Sequence, residues 1–203
     1  MTAGMDALSF QALLSAAAMA LTFVAYVPYF RSIRAGTTKP HLFSWVVWGT
    51  NTSVAFFATL SAEGGAGAWA VGFSAAVTLA VAAIAWTTRS EIRITRSDWG
   101  FFIAGLAAIP LWAVANDPLW AIVLVTGVEL LGFGPTVRKS WHRPWSEPVG
   151  FLGILVVRNA LIVAALGQRT FTTVFFPAAM AAACVLLMGV LLWRRRQLAA
   201  VGG

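Results

Sequence analysis

The sequence is poor in charge, in acidic residues and in cysteine. Of 203 residues, 10% are charged and 60% are hydrophobic, and only 7 are acidic. Ordinary soluble domains carry about 25% charged residues, so this composition indicates an integral membrane protein. The single cysteine, Cys184, excludes an internal disulfide. Because Met1 to Phe10 contains no Lys or Arg, a signal peptide is not expected, and the first apolar stretch should remain as a span.

The chain also lacks the residue patterns of common catalytic sites. It has no cluster of His, Cys, Asp and Glu at metal-ligand spacing, no Gly-rich phosphate loop, and no Ser or Cys nucleophile beside a base. Both lysines, Lys39 and Lys139, lie in predicted loops, which argues against a retinal-binding photoreceptor. We therefore predict a protein that is not an enzyme and that has neither cofactor nor metal.

Seven apolar stretches approach the roughly 20 helical residues that cross a bilayer. They are Ala7 to Phe30, His41 to Leu60, Ala66 to Thr87, Trp99 to Ala115, Pro118 to Val137, Pro148 to Leu166 and Phe171 to Trp193. Short polar links join them. The fold class predicted is all-α integral membrane with seven transmembrane helices.

Basic residues accumulate on one side of this arrangement. Twelve of the 14 Lys and Arg residues fall in the links after the first, third and fifth spans and after the seventh span, whereas the opposite links carry only Arg169. The positive-inside rule then predicts a multi-pass inner-membrane protein with its N-terminus outside and its C-terminus in the cytoplasm. Since the basic excess reports topology and contact with lipid headgroups, nucleic acid is not expected as a partner.

An internal repeat relates the two ends of the chain. Pro28, Arg31, Trp86 and Arg89 recur 107 residues later, and Pro40 and Asn51 recur 108 residues later as Pro148 and Asn159. With the fourth span as a connector, the two repeats have the same orientation in the membrane. The predicted organisation is a first triple-helix repeat at 1–88, a linker helix at 89–117 and a second triple-helix repeat at 118–203, an arrangement of 3+1+3.

The ends of the first and fifth spans carry a family resemblance. The segment Val27-Pro28-Tyr29-Phe30-Arg31, with Thr37-Thr38-Lys39-Pro40 after it, resembles a PQ-loop motif, as does Gly134-Pro135-Thr136-Val137-Arg138. PQ-loop proteins include SWEET sugar carriers and lysosomal amino-acid exporters, and the chain is most similar to small bacterial members with no assigned substrate. The resemblance implies two parallel triple-helix repeats. The two motif segments differ from the family pattern at Tyr29 and Thr136, where the family has glutamine. In addition, SWEET carriers have their sugar-facing asparagines in spans three and seven.

Prolines recur at the predicted cytoplasmic ends of the repeated helices, where they favour a bend. Pro28 and Pro135 lie about one turn inside a span, and Pro40 and Pro148 precede helices, where proline is also favoured for local reasons. We predict hinge roles for these four residues, with simple helix initiation as the alternative for the last two.

Polar side chains in the middle of the spans are the candidate site. Asn51 and Asn159 each lie about 16 Å beyond a repeated proline, so both are predicted near the midplane, with Trp48 one turn before Asn51. These three residues are candidates for solute binding, and packing between helices is the alternative role.

Glu129 and Arg158 are the charged residues inside the predicted spans. They lie at similar depth, and Thr22 and Thr50 occupy the matching positions of the first repeat. Because isolated charges are costly in lipid, we predict that they meet. The pair could be a coupling or specificity element, with Glu129 exchanging a proton or Arg158 holding a solute carboxylate, or it could be a static buried ion pair.

These observations predict a transporter that moves a small polar solute, such as a sugar, an amino acid or a vitamin-like compound, by alternating access through a cleft between two helical repeats. The alternative is a PQ-loop-type receptor or scaffold that binds without transport. The expected partners are the small-molecule solute and membrane lipid, and a homo-oligomer is left open.

Overall fold

A computed structural model describes residues 2–36, 40, 42–88, 96–145 and 147–201. Within these ranges the chain forms α-helices joined by short connections, and no β-strand is present. The helices are α1 (Thr2–Arg34), α2 (Leu42–Ser61), α3 (Gly65–Thr87), α4 (Arg96–Ala115), α5 (Pro118–Gly132), α6 (Gly134–His142), α7 (Val149–Ala165) and α8 (Phe171–Val201). The all-helical prediction is confirmed. Lys39, His41, Arg89 and Arg93, which contribute to predicted links and spans, lie outside the described residues.

Three of these helices are long and apolar enough to cross a membrane. They are α1 over Phe10–Arg34, α3 over Gly65–Thr87 and α8 over Phe171–Ala199. Helices α5 and α7 are apolar but shorter, with 15 and 17 residues. Helix α2 has 20 residues, but its centre carries the polar run Thr50 to Ser53, which lowers its hydropathy.

The predicted fifth span is divided in the structure. Helix α5 ends at Gly132, Phe133 makes a turn, and Gly134 begins the short helix α6. Pro135 has no N–H with which to continue the α5 hydrogen-bond ladder, and the Phe133 N–H bonds back to the Leu130 carbonyl at 3.1 Å. Pro135 therefore lies in the first turn of a new helix, whereas its repeat counterpart Pro28 lies inside the continuous helix α1.

Helix packing follows the same order at both ends of the chain. Helix α3 packs against both α1 and α2, and α8 packs against both α5 and α7. Between the two sets, α1 packs against α7 and α2 packs against α5, while α4 covers α5 and α2. The two sets correspond helix by helix, α1 to α5, α2 to α7 and α3 to α8. Under this correspondence, each helix contact within or between the sets has an equivalent contact that is also present.

Small residues allow these helices to approach closely. The main core cluster draws on α1, α2, α3, α5, α7 and α8 and is rich in alanine. Gly67 of α3 shows how close the approach is, because a methyl group added to it would lie 2.8 Å from the Ile162 carbonyl oxygen of α7.

Two loops are joined through their backbones at one end of the helices. The Gly167 N–H donates to the Gly64 carbonyl and the Gln168 N–H donates to the Glu63 carbonyl, each at 3.1 Å. We call these four residues the loop clamp. Nearby, the Ser15 hydroxyl of α1 donates to the Ala66 carbonyl at 2.7 Å, so α1 is attached at the same end.

The outer surface of the helices is strongly apolar. Large hydrophobic side chains are exposed on all the longer helices, with Leu13 at 68%, Leu131 at 64% and Leu186 at 71% exposure. Exposed apolar surface of this extent is unusual for a soluble monomer.

Candidate functional site

Buried hydroxyl groups in the helices are mostly satisfied within their own helix. The Thr22 hydroxyl donates to the Ala18 carbonyl at 2.9 Å, Thr52 to Trp48 at 2.8 Å, and Ser74 to Ala70 at 3.1 Å. A Ser or Thr hydroxyl reaches the carbonyl four residues back without help from a neighbouring helix. These side chains consequently create little demand for an outside partner.

Amide and charged side chains in the same interior are not satisfied in this way. Asn51 is 1% exposed, Glu129 8% and Arg158 9%. Four of their buried atoms make no hydrogen bond in the structure: Nδ2 and Oδ1 of Asn51, Oε1 of Glu129 and Nε of Arg158. An unsatisfied buried polar group costs about 1–3 kcal/mol, so this concentration of them requires an explanation.

Arg158 of α7 connects the second set of helices to the first. Its Nη2 donates to the Ser74 hydroxyl of α3, and its Nη1 donates to Oδ1 of the neighbouring Asn159 at 3.3 Å. Both acceptors are neutral. The guanidinium, which stays charged in proteins, is therefore buried without an anionic partner among the described residues.

The predicted contact between Glu129 and Arg158 is not formed. Glu129 projects from α5 with Oε1 unpartnered, while Arg158 bonds to Ser74 and Asn159. The prediction rested on equal depth, but the direction of a side chain around its helix axis also matters, and here the two point to different neighbours. Two ionisable side chains are thus buried in one interior without being paired.

Asn51 lies beside Glu129, and Tyr26 interacts electrostatically with both Glu129 and Arg158. Asn51 of α2 is the side-chain neighbour of the Glu129 carboxyl, although neither of its amide atoms reaches hydrogen-bond geometry. The hydroxyl of Tyr26 of α1 lies beside Thr78 of α3 and within electrostatic reach of both Glu129 and Arg158. We call Tyr26, Asn51, Ser74, Thr78, Glu129, Arg158 and Asn159 the polar core.

An aromatic cluster lies between the polar core and the connection from α1 to α2. Its members are Tyr26, Tyr29 and Phe30 of α1 and Trp45 and Trp48 of α2, with successive ring centroids 5.1–6.3 Å apart. Trp48, predicted to contact solute, packs edge-on against Trp45 at 5.2 Å. A methyl group on Gly132 of α5 would lie 3.4 Å from the Trp48 indole nitrogen, so Trp48 also spans to the other set of helices.

The four predicted hinge prolines have different surroundings. Pro28 is inside α1 and exposed, and Pro40 is buried just before α2. Pro148 is the N-cap residue of α7 in extended conformation, which is a position that suits proline for local reasons. Pro135 lies in the first turn of α6, beside the turn at Phe133.

Four of the seven residues in the polar core were predicted from the sequence. The other three, Tyr26, Ser74 and Thr78, were not. Ser74 and Thr78 are four residues apart and so share a helix face, and they are polar residues in a segment that is otherwise Ala, Val, Leu and Phe. That spacing was the available signal.

The residues that the structure describes contain no group of three or more His, Cys, Asp or Glu side chains placed to hold a metal ion. Comparison with known protein families, with curated proteins and with solved structures finds no match to this chain. Among the described residues, the fold and polar core define an all-helical protein with three helices long and apolar enough to span a membrane and with several polar side chains buried inside.

Proposed function

We propose that this protein is an inner-membrane carrier that moves a small polar solute by alternating access between two triple-helix repeats. In this proposal α4 is the linker of a 3+1+3 arrangement, and α5 and α6 together form the fifth of seven spans. The N-terminus lies outside and the C-terminus in the cytoplasm. A PQ-loop or SWEET-like relationship is part of the proposal and rests on the two motif segments.

Two features support the architecture. The exposed apolar side chains would face lipid, since a surface of this kind is stable only in an apolar environment. The interchangeable packing of α1, α2 and α3 with α5, α7 and α8 is what a pseudo-two-fold axis along the membrane normal would produce.

The observation that carries the function is the polar core itself. Asn51, Glu129 and Arg158 come from helices of both proposed repeats and leave four buried atoms without partners. Intramembrane polar groups are costly and commonly mark a solute or ion pathway. A site between repeats, closed by the loop clamp at one end and by the aromatic cluster at the other, suits a carrier that exposes it to each side in turn.

Solute flux in liposomes tests this function. Purified protein should move labelled solute from a panel of sugars, amino acids and organic acids, and Asn51→Ala or Asn159→Ala should weaken binding about tenfold because each removes amide contacts worth about 1 kcal/mol or more. Thr52→Val is the matched control, since the Thr52 hydroxyl bonds only within its own helix.

Binding without flux would instead support a receptor or scaffold. Normal binding by both asparagine variants would place the site elsewhere. If both variants fail to fold while Thr52→Val folds normally, the asparagines are structural.

Cysteine labelling tests the topology. In a Cys184→Ala background, Ser61→Cys and Gln168→Cys should react with an impermeant maleimide in intact cells, because both positions are exposed and lie in proposed outer loops. His142→Cys is exposed at the proposed cytoplasmic side and should react only after the cells are opened. The reverse pattern would overturn the orientation.

A further inference from the structure

The unpaired atoms of the polar core have a definite hydrogen-bonding character. Arg158 Nε and Asn51 Nδ2 are donors, and Glu129 Oε1 and Asn51 Oδ1 are acceptors. None of the four has a partner, and all belong to side chains that are at least nine-tenths buried. A ligand that satisfies all four atoms must therefore offer both hydrogen-bond acceptors and hydrogen-bond donors.

The charge of Arg158 indicates which acceptor group the ligand carries. Arg158 has five N–H donors, of which Ser74 and Asn159 take two, and neither partner is an anion. A guanidinium in a low-dielectric interior gains most from a carboxylate, which it can bind through two parallel hydrogen bonds. A neutral sugar hydroxyl would satisfy Nε but would leave the buried positive charge without a counterion.

Glu129 and Asn51 indicate which donor group the ligand carries. The Glu129 carboxyl and the Asn51 amide are neighbours on α5 and α2, and their free oxygens Oε1 and Oδ1 both accept hydrogen bonds. They suit a hydroxyl or an ammonium group. Tyr26 interacts electrostatically with both Glu129 and Arg158, and the assignment requires one small molecule to reach both side chains.

We propose that the polar core binds a small organic acid that carries a hydroxyl or an ammonium group near its carboxylate. The carboxylate bonds to Arg158 Nε and Asn51 Nδ2, and the donor group bonds to Glu129 Oε1 and Asn51 Oδ1. This assignment rests on the proposed function for the passage of the ligand into the closed interior, but binding itself requires no net transport.

Thermal unfolding of the purified full-length protein tests the ligand class, because a ligand that binds only the folded state raises the unfolding midpoint. Four probes at matched concentration separate the alternatives: lactate (hydroxyl and carboxylate), alanine (ammonium and carboxylate), propionate (carboxylate alone) and glycerol (hydroxyls alone). Lactate or alanine should raise the midpoint most, propionate less, and glycerol least. Glycerol matching the best acid, or none of the acids acting, would overturn the assignment.

Substitutions then locate the contacts. Arg158→Lys keeps the charge but loses the planar pair of donors, so the affinity for the best acid should fall at least tenfold. Arg169→Lys is the matched control, since Arg169 is exposed in a loop. Glu129→Gln should reduce the preference for the best acid over propionate. Wild-type affinity in Arg158→Lys would contradict the assignment, and if that variant does not fold, the four-probe ranking of the wild type decides.

Liposome flux separates failure of this inference from failure of the proposed function. Acid binding without any flux would support the ligand class and refute the carrier. Flux of a neutral solute that is unaffected by Arg158→Lys would support the carrier and refute the ligand class.

Discussion

Helices α1 to α3 and helices α5 to α8 pack in the same order, but they bring different chemistry to the interior. The first set contributes Tyr26 and a cluster of aromatic rings, and the second contributes the buried ionisable side chains Glu129 and Arg158. At the matching positions, Thr22 stands for Glu129 and Thr50 for Arg158, while Phe133 stands for Tyr26 and Gly153 for Trp45. Two sets of helices that pack in the same order thus carry different residues at matching positions.

The backbones differ at one corresponding place as well. Helix α1 continues through Pro28, whereas the second set breaks at Phe133 before Pro135. The break lies one turn beyond Glu129. The first set thus has a continuous helix with aromatic side chains at this place. The second set has two helices that meet at Phe133, one turn from Glu129.

The largest effect should come from giving the first set a residue of the second. Gly67 corresponds to Val174, and Gly67→Val should lower the free energy of unfolding by about 3 kcal/mol, because even the Cβ would lie 2.8 Å from the Ile162 carbonyl oxygen and 2.9 Å from the Leu166 nitrogen. Denaturant unfolding in detergent measures the change. Gly150→Ala is the control, since nothing lies within 4 Å of a methyl group there. Equal stability of the two variants would mean that α3 and α7 are farther apart than described.

A smaller effect of opposite sign is expected at Glu129. Glu129→Gln should raise the free energy of unfolding of the ligand-free protein by about 1 kcal/mol, because a neutral amide costs less to bury than an unpartnered carboxyl. The measurement is the unfolding midpoint without solute. Asp117→Asn offers an exposed comparison at the N-cap of α5, where the replacement still accepts the Leu119 N–H. A clear loss of stability in Glu129→Gln would reveal a favourable contact of the carboxylate.

The smallest effect should follow from making α1 more like α5. Tyr26→Phe replaces the hydroxyl with the hydrogen of its counterpart Phe133 and should cost about 0.5 kcal/mol of stability, since the ring keeps its contacts with Phe30 and Trp45. Acid binding should weaken about threefold, because the hydroxyl interacts electrostatically with both Glu129 and Arg158. Tyr29→Phe is the matched control. Equal effects on binding from both variants would remove Tyr26 from the polar core.

Sequence patterns predicted the helices well because apolar runs interrupted by polar links are visible in the residue order. The break at Phe133 was missed, since a proline near a helix end is compatible with either a bend or a new start. Polar residues inside apolar runs are equally visible in the residue order, and this is how Asn51, Asn159, Glu129 and Arg158 were identified.

The partners of those residues could not be predicted. Depth follows from the rise of 1.5 Å per residue, but the face that a side chain occupies depends on helix rotation, and a helix that is apolar on nearly all sides gives little periodic signal. Arg158 in fact bonds Ser74 of α3, a residue 84 positions away in the chain, and does not bond Glu129.

The loop clamp has a kinetic consequence. Its two bonds use the backbone N–H groups of Gly167 and Gln168, so no side chain takes part in them, and each carries an exchangeable hydrogen. These hydrogens can exchange with solvent only when the two loops separate. Hydrogen–deuterium exchange at these two amides would therefore report how often this end of the molecule opens, and comparing the rate with and without bound solute would show whether occupancy speeds or slows that opening.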